Sequence, residues 1–157
     1  MIVVSDTTAI TSLLTIGRAD LLQQVFGEVL IPGAVLRELR VAHREIPGFL
    51  RLCEVTDVDA VRELQVAELD DGEAEAIVLA EKMSADFLLI DESDGRAIAK
   101  QRGLAIIGLV GVLLRAKNEG FLSEIAPVLE ALTTVGGFWI SEQIRKQAIS
   151  DAGESTA

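Results

Sequence analysis

The sequence predicts an α/β protein of three layers, α/β/α, with a central, mainly parallel sheet covered by helices on both faces. Three observations predict it. Short apolar runs alternate with longer amphipathic patterns of helical period along the whole chain. Two of those runs, Ile2 to Ser5 and Phe87 to Ile90, stop on an aspartate, as strands do when they deliver a polar group to the carboxyl edge of a sheet. The 157 residues are half apolar, enough for one domain with a real core.

The elements follow in order. Strands are expected at Ile2–Ser5, Glu28–Ile31, Cys53–Thr56, Phe87–Ile90 and Ala105–Ile107. Helices are expected to begin near Thr7, Ala19, Pro32, Asp59, Gly72, Asp94, Leu109, Glu124 and Glu142. Pro32 suits a helix start, where its missing N–H costs nothing. Gly103 and Gly120 are natural helix stops, and Ser141 is a natural N-cap. Phe138 and Trp139, just before that cap, are expected to anchor packing rather than to stack bases. There is no internal repeat, low-complexity segment or linker, so residues 1–150 form a single domain and 151–157, small and polar, a fraying tail.

Composition narrows the function. The formal charge of −11 argues against a protein that coats nucleic acid through bulk electrostatics, though not against a nuclease with a local acidic site. Arg37, Arg40 and Arg44 around Glu38, and Arg96, Lys100 and Arg102 after Asp91, read singly as solvated helix faces. One cysteine, Cys53, excludes an internal disulfide and is expected in the core. One histidine, His43, in a polar stretch, leaves little material for zinc sites or Ser–His and Cys–His triads. No phosphate-cradling glycine loop is present. The start carries no basic leader, and the longest apolar stretch, Leu104 to Leu114, is too short to span a bilayer, so a cytoplasmic protein with no membrane contact is expected.

The chemistry rests on acids. Asp6 could simply cap the helix that follows it, or leave that task to Ser5 or Thr7 and face a cleft. Glu38 falls on the flank of the stripe formed by Val35, Leu36 and Leu39, where it can reach a cleft edge or solvent equally well. Glu73 lies with Ala76, Ile77 and Ala80 on the apolar face of its helix, whereas Glu75 lies with Lys82 on the polar one. A first-turn acid gains about 0.5 kcal/mol from the helix dipole, which does not explain an acid on the buried side. Asp91 opens Asp91-Glu92-Ser93-Asp94, where Ser93 or Asp94 suffices as a cap; spacing does not choose among Asp91, Glu92 and Asp94 as a ligand. Like charges gathered this way need a cation or a proton. Oxygen donors suit magnesium or manganese.

The ordered set resembles a PIN domain, a nuclease fold in which strand-end and helix acids bind divalent metal. The resemblance covers nearly the whole chain. It runs through Val4-Ser5-Asp6-Thr7-Thr8, Leu30 to Leu39, Gly72 to Ile77 and Ala85 to Glu92, then Gly95 to Ala99 and Gly103 to Gly108, and it is similar to a PIN-like subfamily of prokaryotic proteins. It implies that Asp6 matches the first-strand aspartate and Glu38 the helix glutamate. Glu73 stands where many PIN domains carry aspartate, and Asp91 is the strand-end acid, with a further acid close behind, here Asp94. Two departures are the longer side chain at Glu73 and the Asp91-Glu92 pair. The resemblance further implies an RNA substrate and a toxin paired with a protein antitoxin.

The expected function is a magnesium-dependent (or manganese-dependent) ribonuclease, with metal held by Asp6 and Asp91 and by Glu38 and Glu73 directly or through water. A PIN scaffold that binds RNA or a partner without cutting is the main alternative. A receiver domain would want a lysine after the last strand, where Gly108-Leu109 stand, and a haloacid-dehalogenase-type phosphatase a second acid where Thr8 stands. A homodimer is expected from the apolar excess of Leu109 to Leu114.

Overall fold

The computed structural model describes residues 1–155. The chain runs through Val3–Ser5 (β1), Thr7–Thr15 (α1), Asp20–Phe26 (α2), Val29–Ile31 (β2), Gly33–Ala42 (α3), Leu50–Leu52 (β3) and Val58–Val66 (α4). It continues through Asp71–Lys82 (α5), Phe87–Leu89 (β4), Ser93–Gln101 (α6), Ile106–Ile107 (β5), Leu109–Asn118 (α7), Ala126–Thr134 (α8) and Glu142–Asp151 (α9). The strands form one parallel sheet in the order β3-β2-β1-β4-β5. This is the expected three-layer fold. A receiver domain's flavodoxin-like order, 2-1-3-4-5, is not this one.

The central strands β1, β2 and β4 are covered on both faces, and their alternation sorts the core into two clusters. Val3, Val29, Ile31 and Leu89 face one cluster with Ile10, Leu13, Val112, Leu129 and Ile149. Val4, Leu88 and Ile90 face the other with Val61, Ile77 and Leu79. Thus α1, α2, α7, α8 and α9 cover one face, and α4, α5 and α6 the other. Helix α3 contacts both α1 and α5 and so closes the side of the molecule next to the sheet's carboxyl edge. At the opposite end Arg115 lies over the rings of Phe26 and Phe87, with 5.7 and 5.1 Å from guanidinium carbon to centroid.

One expected strand needs correction, and two further segments take definite places. The third strand is Leu50–Leu52, not Cys53–Thr56: Val29 N donates to Phe49 O, and Cys53 N donates to Ile31 O as the strand ends. It is an edge strand with only Leu50 buried and a charged residue at its centre, so its apolar signal is weak. The C-terminal segment is helical as far as Asp151. Helix α9 includes that residue, and Glu154 beyond it is tied to Lys117, Ile125 and Ala126; Thr156 and Ala157 lie outside the described residues. The apolar run in α7 is consumed inside the chain, with Leu109, Val112 and Leu113 fully buried and Val110 and Leu114 packed against the same core. Among the described residues no helix is long and apolar enough to cross a membrane.

Candidate functional site

The sheet order reverses between β1 and β4: β2 and β3 lie to one side, β5 to the other. A crevice opens at such a switch point outside the carboxyl ends of the strands. Asp6 follows β1 directly, and Asp91 follows β4 after Ile90.

Asp6 occupies the N-cap position of α1 yet makes no side-chain capping bond. Neither neighbour caps in its place: the Ser5 hydroxyl donates to Asp6 O, and the Thr7 hydroxyl donates to Glu38. Asp6 is only 5 % exposed. Burial pushes its pKa up to about 7; the Thr7 amide opposes the rise, and Asp70, Glu38 and Glu92 add to it. Burial likewise raises Glu38, against the Thr7 hydroxyl and the Gly72 amide.

Glu73 is buried, 7 % exposed, as its place on the apolar face predicts. Helix α5 starts there because Asp70 caps it, accepting from Glu73 N at 2.8 Å. Burial, the charge of Asp70 and a side-chain hydrogen bond with it, and the charges of Asp6 and Glu92, push Glu73 up to about 8. Gly72 makes the convergence possible: a Cβ there would lie 2.8 and 3.0 Å from the Glu38 carboxylate oxygens and 3.2 Å from Asp6 Oδ1. Gly95 has a similar role, since its Cβ would sit 3.2 Å from Glu73 Oε2.

The structure therefore brings together Asp6, Glu38 and Glu73, with Asp70 and Glu92 acting on them. Asp91 shares the edge but turns away. Both its oxygens accept from Leu109 N, at 3.1 and 3.2 Å, capping α7, whose own cap position is the side-chain-less Gly108. Burial raises its pKa, while Leu109 N and the Arg96 guanidinium pull it down. Arg96 also donates to Ile90 O at 2.8 Å. Asp94 is exposed on the first turn of α6, and the cap position there is Glu92, not Ser93 or Asp94. Asp70 is not among the acids expected from the sequence, and Glu92 is there only as one of three open alternatives with Asp91 and Asp94. The signal for Asp70 was legible as the D-x-x-E spacing of a capping box. For Glu92 no sequence signal separates it from Asp91.

Glu75 and His43 also differ from expectation. Glu75 leaves the polar face to cap α3, accepting from Ala34 N at 3.1 Å, with Arg37 at 3.7 Å. His43 is half-buried, its Nε2 hydrogen-bonded to Thr11 Oγ1.

The donor set is carboxylate oxygen throughout, the chemistry of a hard divalent cation, and Gly72 leaves the space in which the carboxylates meet. Among the described residues no three of the acids stand ready-made around one ion position, so a cation would draw them inward. Comparison with protein families matches residues 2–154 to DUF3368, described as a PIN domain. No curated protein and no solved structure matches the chain. The fold is of nuclease type, and the chain belongs to the PIN-domain family.

Proposed function

We propose that the protein is a divalent-metal-dependent endoribonuclease working at the β1–β4 switch point. The observation that carries this reading is the meeting of buried Asp6 and Glu73 with half-buried Glu38, from three separate elements, with proton affinities raised by burial and by neighbouring acids. Asp6, Glu38 and Glu73, with Glu92, are the residues that would hold magnesium or manganese. A cation bound there would supply Lewis acidity, polarising a phosphate oxygen and acidifying water. The chain's own groups prepare the site. The Thr7 hydroxyl orients Glu38. Asp70 fixes the first turn of α5 and with it Glu73. Asp91, through Leu109 N, holds the loop that carries Glu92. The raised proton affinities of Asp6 and Glu73 mean that a cation entering the site would compete with protons.

The deciding experiment is cleavage of single-stranded RNA by the purified chain with magnesium, with EDTA, and with Asp6→Asn. Cleavage that needs the cation and disappears in the variant is the expected result. RNA binding without any cleavage would favour the alternative, a non-cutting scaffold. The family resemblance is the support for reading this activity as that of a toxin restrained by a protein antitoxin. Self-association rests chiefly on that resemblance, since Leu109, Val112 and Leu113 are buried within one chain and only Val110 and Leu114 stay partly exposed; light scattering at micromolar concentration tests it.

A further inference from the structure

Phe138 and Trp139 are adjacent and face opposite ways. Phe138 is buried, as an anchor should be, but Trp139 is 82 % exposed. The turn at Gly136-Gly137, with Gly137 at φ +68°, and the Ser141 cap of α9 hold this segment in place. A tryptophan that buries almost none of its area contributes little to folding. It lines a groove of about 820 Å³ with Thr8, Glu92, Arg96, Gly108 and Ile144. The wall is apolar: Ile144, one helical turn into α9, is also exposed. The floor is flat because Gly108 and Gly111 carry no side chain, and a Cβ on either would meet Asp91 Oδ1 at 2.8 Å or Ile107 Cγ1 at 2.9 Å. Glu92 lines this groove and its charge acts on Asp6 and Glu73, and Thr8, two residues after Asp6, lines it as well. The groove therefore adjoins the acid group.

We infer that Trp139 is a stacking platform for one unpaired base of a single-stranded RNA whose neighbouring phosphate lies at the acid group. The inference rests on the nuclease reading for the phosphate and on the groove for the base. A flat, neutral, π-faced group fits an apolar wall, and its polar edge meets Ser93 and Arg96 on the other side. The phosphate, which the acids of the bare chain repel, is tolerated where a cation neutralises them. A paired base cannot enter, because its face is covered by its neighbours in the duplex. Trp139 thus selects single strands and positions the nucleotide rather than taking part in bond breaking.

The chain's only tryptophan and its lack of tyrosine make the test direct, since intrinsic emission reports the groove alone. Stopped-flow mixing with oligoadenylate in magnesium should quench that emission before any cleavage, and the same strand annealed to oligouridylate should not. By anisotropy of a labelled strand, Trp139→Ala should bind about 10- to 100-fold more weakly and Trp139→Phe within a few-fold of wild type. Both variants should keep the wild-type melting temperature. Absence of quenching, or equal affinity of Trp139→Ala, overturns the inference. Emission that changes with protein concentration alone, or with oligoarginine but not with RNA, also overturns it, assigning the groove to a second copy or to a basic peptide. Cleavage by wild type and Trp139→Ala with equal KM sinks the stacking role and leaves the nuclease reading standing. Trp139-dependent binding without cleavage does the reverse.

Discussion

Asp6 and Glu154 are both carboxylates at the start of a helix, and the chain treats them in opposite ways. Burial alone would push Glu154 up. The Lys117 ammonium at 2.8 Å and the amides of Ile125 and Ala126, at 2.7 and 3.1 Å, outweigh it and hold the carboxyl below its ordinary range. Glu154 thereby caps α8, whose own cap position is Ile125 and offers no oxygen. Glu75 and Asp91 do the same for α3 and α7, whose cap positions are Pro32 and Gly108. Asp6 holds a cap position and makes no capping bond; the Thr7 amide eases its charge, while Asp70, Glu38 and Glu92 surround it with like charge. The structural acids stabilise the bare chain. The acids at the switch point cost it stability, which a bound cation can return.

That contrast is broken most sharply by activity. Asp6→Asn should lower magnesium-dependent RNA cleavage by more than about 100-fold, whereas Glu154→Gln should leave the cleavage rate of the folded protein unchanged. Initial rates at a temperature where both variants are folded check this. Equal losses would mean that the two acids do not differ in kind.

The second effect is pH-dependent stability without divalent cations. Folded pKa values of about 7 for Asp6 and about 8 for Glu73 lie above the ordinary 3.8 and 4.5. Between those values the folded chain holds protons that the unfolded chain has released. The stabilising contribution is therefore complete below about pH 4 and is lost as pH rises through 7 to 8, on the order of 2–4 kcal/mol, or roughly 5–15 °C in melting temperature. Glu154 works the other way: its contribution is present above the ordinary 4.5 and is lost as pH falls through its lowered folded value. Calorimetry from pH 5 to 8 should show the melting temperature falling in EDTA and nearly level in saturating magnesium. Asp6→Asn should melt higher than wild type in EDTA at pH 8.

Glu154→Gln should destabilise by about 1–3 kcal/mol at pH 7, because an ammonium and two amides lose a charged acceptor. Urea denaturation reads this, and a change below the resolution of the midpoint would remove Glu154 from the group of structural acids. Asp91→Asn comes last. If its carboxylate serves mainly as the cap of α7, the loss is about 1 kcal/mol, with magnesium affinity reduced far less than in Asp6→Asn or Glu92→Gln. Titration calorimetry of the three variants decides between Asp91 and Glu92 as the cation-holding acid.

The sequence by itself determined most of the architecture. Strand runs buried on both faces and nine helix starts follow from local periodicity and from stop and cap residues such as Gly103, Gly120 and Ser141, all within one turn of chain. It also placed Glu73 on a buried face, since helical phase alone fixes which side a residue takes. Edge strand β3 escaped because an edge needs little apolar surface to pair. Only the tertiary structure decided which acids meet. Asp91 and Glu92 are adjacent in the chain, yet one is taken by an amide of α7 while the other is left exposed, with its charge acting on Asp6 and Glu73. The same holds for Glu75, Glu154 and the outward face of Trp139: each depends on a partner, or on a missing one, dozens of residues away. Helical phase and capping are short-range. The competition among distant donors for a carboxylate is settled only when the sheet order brings the strand ends side by side.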